Sequence, residues 1–139
     1  MLRVMLAALA FLATSSPLLA AQCNGVDLSV GSVAVKSVSA SGGVNRYQIA
    51  GVVTNIGSSS QEADALQSVD IYQGNEKLDS RGIPPLKARQ SYSFSYASMR
   101  ATEGGAGTTH LRFQLNVAHP SPADSQICNM ANDSFTLTF

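Results

Sequence analysis

Few side chains in this sequence could do chemistry, and their spacing narrows what that chemistry would be. There are two cysteines, Cys23 and Cys128, two histidines, His110 and His119, and an oxygen-rich run holding Asp124, Asn129, Asn132 and Asp133. Nucleophilic catalysis needs a serine or cysteine beside a histidine base that a third group orients. His110 falls on the outward side of an alternating stretch, and His119 closes that stretch before Pro120. Both read as surface residues. No G-x-S-x-G or H-E-x-x-H occurs, and "EGGAG" at 103–107 precedes neither a lysine nor a helical pattern. It reads as a loop, not a phosphate cradle. The expectation is a non-enzymatic protein with no cofactor.

Metal binding is the stronger alternative. Copper in an oxidising compartment takes thioether and imidazole ligands, which here would be Met99, Met130, His110 and His119. No H-x-M or M-x-x-M spacing joins them. A periplasmic copper carrier or small-ligand binder stays open as the second reading. Calcium would use Asp124, Asn129, Asn132 and Asp133 as hard oxygen ligands, but their spacing does not match an EF-hand loop. Asn129 and Asn132 read instead as turn formers that bond nearby backbone, and no metal site is expected. Asn132-Asp133-Ser134 also fits a glycosylation sequon, which matters only in a eukaryotic secretory pathway.

Compartment is written at the start of the chain. "MLRVMLAALAFLATSSPLLAAQ" carries one positive charge, an apolar run, a polar break and small residues at Ala20 and Ala21. That is the layout of a cleavable signal peptide, residues 1–21. Its apolar run is half the roughly twenty residues that a membrane span needs. The expected product is one domain, residues 22–139, secreted or periplasmic, with no membrane span. Lys plus Arg and Asp plus Glu number 9 each, so losing Arg3 leaves a nearly neutral chain. Without a basic cluster there is no electrostatic case for nucleic acid. An even cysteine count in an exported chain reads as a disulfide, Cys23 to Cys128. The C-x-x-C spacing of a metal pair or redox dithiol is absent. Closing a loop of about 100 residues contributes up to ~4.7 kcal/mol in the chain-entropy account.

The elements that would position these residues are strands. "VDLSVGSVAVKSV" alternates, then shifts phase at Gly31-Ser32, as a bulge or a switch between sheets would require. "RYQIAGVVTNIG" puts Tyr47, Ile49, Gly51 and Val53 on one face and ends at Asn55-Ile56-Gly57, read as a turn that tolerates positive φ. "EADAL" at 62–66 could form a helical turn. "SVDIYQGNEKLDSRGI" reads as a hairpin about Gly74-Asn75. "PPLKARQ" is a rigid polar connection. "SYSFSYA" aligns Tyr92, Phe94 and Tyr96, while 98–109 reads as a mobile loop. "HLRFQLNVAH" points Leu111, Phe113, Leu115 and Val117 inward, and "SFTLTF" does the same with Phe135, Leu137 and Phe139. Seven or eight strands with no convincing helix imply an antiparallel two-sheet sandwich.

Four features occur in a telling order: "VTNIG" at 53–57, "DIYQGNEKLDS", "LKARQSYSF" and an asparagine-rich approach to "SFTLTF". Together, over roughly residues 26–139, they resemble CARDB, the cell-adhesion-related domain found in bacteria. The resemblance implies an immunoglobulin-like β-sandwich and a role in protein or carbohydrate interaction at the cell envelope. It carries over no catalytic residue. The partner would be an envelope protein or glycan. The strand faces, rich in Ser, Thr, Gln and Asn, could meet it by hydrogen bonding but equally suit plain solvent contact. The loops at 57–68 and 98–109 are better candidates for a binding tip.

Overall fold

Alternation of period two runs through most of the middle of this chain, and period two is satisfied only by strands that bury one face. The computed structural model describes residues 25–102, 107–118 and 132–139, and these form seven strands and no α-helix. The strands are β1 (Leu28–Ser41), β2 (Val44–Asn55), β3 (Leu66–Gln73), β4 (Glu76–Ile83), β5 (Ser91–Ala101), β6 (His110–Ala118) and β7 (Ser134–Thr138). They make two antiparallel sheets, ordered β1-β2-β5 and β4-β3-β6-β7. The chain crosses between sheets after β2, after β4 and after β5. The expected signal peptide, the Cys23–Cys128 bridge and the residues Asp124, Asn129, His119 and Met130 all lie outside the described residues.

The core lies where the two inner faces meet. Leu28, Ile49, Val53 and Phe94 from the first sheet face Val69, Ile71, Leu111 and Phe113 from the second. The rings of Phe94 and Phe113 bridge the layers at 5.8 Å. Leu115, Val117, Phe135 and Leu137 keep the inward direction that their alternation implies, but they are only partly buried. Leu86 corrects the reading of "PPLKARQ" as merely polar. At 1% exposure it plugs one end of the sandwich, a burial that contributes about 2 kcal/mol.

The phase shift at Gly31-Ser32 proves to be a bulge within one strand, not a change of sheet. Register slips between Gly31 and Ala34, with Ser32 at φ 53°, and slips again between Val35 and Ser37. The β3–β4 hairpin turns through Gly74 at φ 59°, as its sequence implies. Residues 62–66 form a single turn, closed by Ala65 N donating to Glu62 O, and continue into β3 without becoming helical. Residues 98–101, read as loop, extend β5 instead, because Ser98 to Ala101 keep pairing with Val44 to Tyr47.

One position in β2 has to be glycine for steric reasons. Gly51 faces inward opposite Phe94, and the phenyl ring lies over it. A Cβ there would fall inside the van der Waals envelope of Phe94 Cζ and 2.9 Å from Val33 Cγ2. Gly51→Ala is therefore expected to cost about 1–3 kcal/mol by overpacking. Adding Phe94→Leu should recover part of that loss, so urea denaturation of the two single variants and the double variant should be non-additive.

Candidate functional site

The run "VTNIG" ends β2 in a buried amide. Asn55 is 0% exposed, and an amide side chain out of water must fill its donors and acceptors or be costly. Its Oδ1 accepts from Asp27 N at 3.3 Å and Gly57 N at 3.1 Å. Its Nδ2 donates to Ser59 O at 2.9 Å and to Leu86 O at 3.2 Å. One side chain thus joins three segments: 25–27, 55–59 and 86–90. Backbone bonds reinforce it, with Ile56 N donating to Asp27 O, Ser58 N to Gly25 O, and Arg89 N to Asn55 O. Arg89 adopts φ 65° to fit, and its guanidinium caps Ile56 O at 2.6 Å.

Neither Asn55 nor Gly57 lies in the left-handed region, so the expected positive φ is not the reason for these residue types. Asn55 is required as a four-way hydrogen-bonding group. Gly57 is required because a Cβ would strike the carbonyl oxygen of Gly25 and come within 2.6 Å of Asp27 N.

The loop beyond Asn55 is braced by a second pair of amides. Gln61 and Gln67 exchange hydrogen bonds at 2.6 and 2.8 Å, Gln67 Nε2 also donates to Pro84 O, and Leu86 N donates to Gln61 Oε1. These ties hold residues 61–67 against 84–86. Between them opens a cleft of about 410 Å³ with mostly apolar walls, including Ala63, Ala65, Leu66, Ile83, Pro84 and Pro85, and with Asp64 at its lining. Leu66 is 64% exposed. Of the two loops expected to form a binding tip, 57–68 is therefore a braced platform with a cleft. The loop after β5 lies at the other end of the sandwich, since Ala101 pairs with Val44 while Asn55 ends β2 at the far side. The two loops do not form one tip.

That opposite end has its own anchor, which sequence alone did not disclose. Arg100, directed inward from the end of β5, donates to Tyr47 Oη at 2.6 Å, Thr109 Oγ1 at 3.0 Å and Phe139 O at 3.0 Å. Its guanidinium lies 4.9 Å from the Tyr47 ring centroid and 5.8 Å from that of Phe139. The only hint was an arginine in phase with the aromatic face of β5.

Two carboxyl groups are perturbed in opposite directions. Asp70, on the outward side of β3, is nearly fully covered. Burial opposes its charge, but hydrogen bonds from Lys77, Ser80, Asn116 and Ser68 outweigh that and hold it at about 2. The four donors stand at 2.8, 2.6, 2.9 and 2.9 Å. Asp133 is pushed up, first by burial and then by the charge of Asp27. Asn132 Nδ2 donates to Asp27 Oδ1 at 3.2 Å, whereas Asn132 Oδ1 and Asp133 Oδ1 have no hydrogen-bond partner. Asn132 thus bonds a side chain 105 residues away as well as standing before β7, which local turn chemistry does not explain.

Of the soft-metal set, the described members are Met99 and His110, and they point from different sheets. Met99 is 72% exposed on β5; His110 on β6 bonds Thr138 Oγ1 at 2.9 Å. No group of three His, Cys, Asp or Glu side chains fit to hold a metal occurs among the described residues. Comparison with protein-family models, curated proteins and solved structures finds no match to this chain. The site's chemistry therefore rests on its own residues: mostly apolar walls beside amides fixed by hydrogen bonds.

Asn55→Ala would strand the buried N–H groups of Asp27 and Gly57, each costing about 1–3 kcal/mol when unpaired, while Leu86 O keeps its bond from Gln61 N. Stability should fall by at least ~2 kcal/mol in urea denaturation, and the Gly57 amide should lose protection in hydrogen exchange. The carboxyls predict a pH profile. A carboxyl held low stabilises the fold above its ordinary 3.8 and loses that contribution as pH falls toward about 2. A carboxyl held high stabilises the fold when protonated and loses that contribution as pH rises through its raised pKa. Melting temperatures from pH 2 to 7 should show Asp70→Asn flattening the acid limb below about pH 4. Asp133→Asn should raise the melting temperature at neutral pH.

Proposed function

We propose that this protein is an exported, non-enzymatic interaction module of the bacterial cell envelope, an immunoglobulin-like sandwich of the CARDB kind. It recognises a protein or glycan through the tip built on the loop after β2 and the connection before β5. The observation that carries this reading is the braced apolar cleft between residues 63–67 and 82–85, walled by side chains that the Gln61–Gln67 pair holds in place. A cleft ordered before binding loses little entropy when a ligand arrives. Apolar walls with a few fixed polar groups are the usual make-up of a recognition site.

The finer assignment has its own support. Strand order β1-β2-β5 and β4-β3-β6-β7, with crossings after β2, β4 and β5, is the arrangement of a Greek-key sandwich. The family's run "VTNIG" carries the Asn55 and Gly57 that pin the tip. Export rests on the leader at 1–21, and the Cys23–Cys128 bridge on the cysteine count in an oxidising compartment.

Intact-mass analysis of the protein recovered from the envelope or medium is expected to show a chain starting near residue 22 and lighter by two hydrogens. Retention of the leader, or two free thiols, overturns the export and bridge readings. Recognition is tested with purified peptidoglycan and envelope polysaccharides, and with surface proteins from the same cell. Leu66→Glu, at an exposed cleft residue, should weaken binding at least about tenfold while the melting temperature holds. Arg46→Glu, on the outward face of β2, should leave binding unchanged. Equal binding by the wild type and the Leu66 variant removes the cleft from the account.

A further inference from the structure

What a cleft can hold depends on which of its polar groups the fold has already used. The cleft between residues 63–67 and 82–85 encloses about 410 Å³, within the roughly 300–1,000 Å³ of ligand sites. Ala63, Ala65, Leu66, Ile83, Pro84 and Pro85 give it apolar walls, Gly82 adds no side chain, and none of its lining residues is aromatic. Two polar side chains remain, Gln67 and Asp64.

Gln67 is spent within the fold. Its Nε2 donates to Gln61 Oε1 at 2.8 Å and to Pro84 O at 2.9 Å, and its Oε1 accepts from Gln61 Nε2 at 2.6 Å. The two prolines have no N–H to offer. Asp64 is exposed. The ion pairs among the described residues join Lys77 to Asp70 and Arg81 to Asp79, so the Asp64 carboxylate has no cation beside it among them. A ligand therefore meets apolar walls and one unspent negative charge.

A sugar suits these walls poorly. Its hydroxyls would lose water there without gaining partners, and no aromatic ring is present to lie against its face. An aliphatic side chain gains by covering Leu66, which is 64% exposed. A lysine or arginine adds to this, because its methylene stem lies along apolar surface while its head stays in water beside a carboxylate. In an extended segment, residues two positions apart project to the same side.

We propose that the occupant is an extended segment of another protein, not a glycan, in which an aliphatic residue and a lysine or arginine stand two positions apart. The aliphatic side chain packs on Leu66 between the walls, and the cation reaches Asp64. This assignment rests on the reading of the cleft as the recognition site, and it names the chemistry of the ligand.

The test is an NMR titration of the isotope-labelled full chain with three terminally blocked, serine-flanked peptides. Their central runs are leucine-serine-lysine, leucine-serine-glutamine and leucine-serine-glutamate, and purified glycan strands are the fourth probe. Shifts are read at the amides of Ala63, Ala65 and Gly82. Affinity should fall in the order lysine, glutamine, glutamate, by at least about threefold from first to last, the scale of one exposed ion pair. Added salt should narrow the gap. Asp64→Lys should reverse the order, which a folding defect could not do. Leu66→Ser should weaken all three peptides and keep their order. Three peptides that bind alike, an order that Asp64→Lys leaves unchanged, or cleft amides shifted only by the glycan strands overturns the proposal but keeps the cleft as the recognition site. Cleft amides that no probe shifts overturn both.

Discussion

A single side-chain amide organises one end of this molecule, and the candidate site depends on it. Asn55 ends β2, where three segments remote in sequence must meet without a shared strand. Their N–H and C=O groups point into a space closed to water. Two donors and two acceptors in one planar group answer that geometry, and neither aspartate nor leucine could supply both kinds. The net stability from such exchanges is modest, because water served the same groups before folding. What the amide does is exclude other placements of the segments. The cleft between residues 63–67 and 82–85 inherits its shape from that exclusion.

The other end is held by a different physical device. Arg100 crosses from one sheet to the other, offering its edge to Tyr47, Thr109 and the Phe139 carbonyl and its face to two rings. A planar cation can satisfy hydrogen bonds and ring contact together, which a lysine cannot. The two sides of the sandwich also differ. β1 runs beside β6 and β7, while β4 and β5 approach each other across a cleft. The molecule therefore has a tied tip, a clasped base, one closed flank and one open flank.

Much of the fold was legible in the sequence, because burial on one face of a strand leaves a period of two. Most of the strands were visible as alternation, while β4, whose side chains are nearly all exposed, was legible only through the Gly74-Asn75 turn that precedes it. What stayed hidden has physical reasons. Leu86 is one apolar residue in a Pro- and Lys-rich connection, and a single burial makes no period. Asn55 and Gly57 were noticed, but local turn chemistry explained them equally well; their true partners, Asp27 and Gly25, lie some thirty residues away. Asp27 precedes its strand and drew no notice in the sequence, yet it is buried and bonded to Asn132. Arg100 sat in what read as a glycine-rich loop. The cleft was invisible for the same cause: its walls come from two connections that only tertiary structure brings together. The all-β class follows from the alternation, while family membership and cellular role remain readings of a few motifs in order.

The contact between Gly51 and Phe94 has a consequence for how this sequence can change over time. The ring fills the space that a side chain at 51 would take, and the bare backbone at 51 is what lets the ring lie flat in the core. Neither position is free while the other is kept. A larger residue at 51 is tolerated only after 94 has shrunk, and a smaller residue at 94 leaves a void until 51 has grown. Descendants of this chain must pass through one of those two intermediates. Overpacking forces the backbone and underpacking leaves a void, and each costs stability by itself. Change at either position should therefore be found with change at the other, so that the two strands carry a linked record.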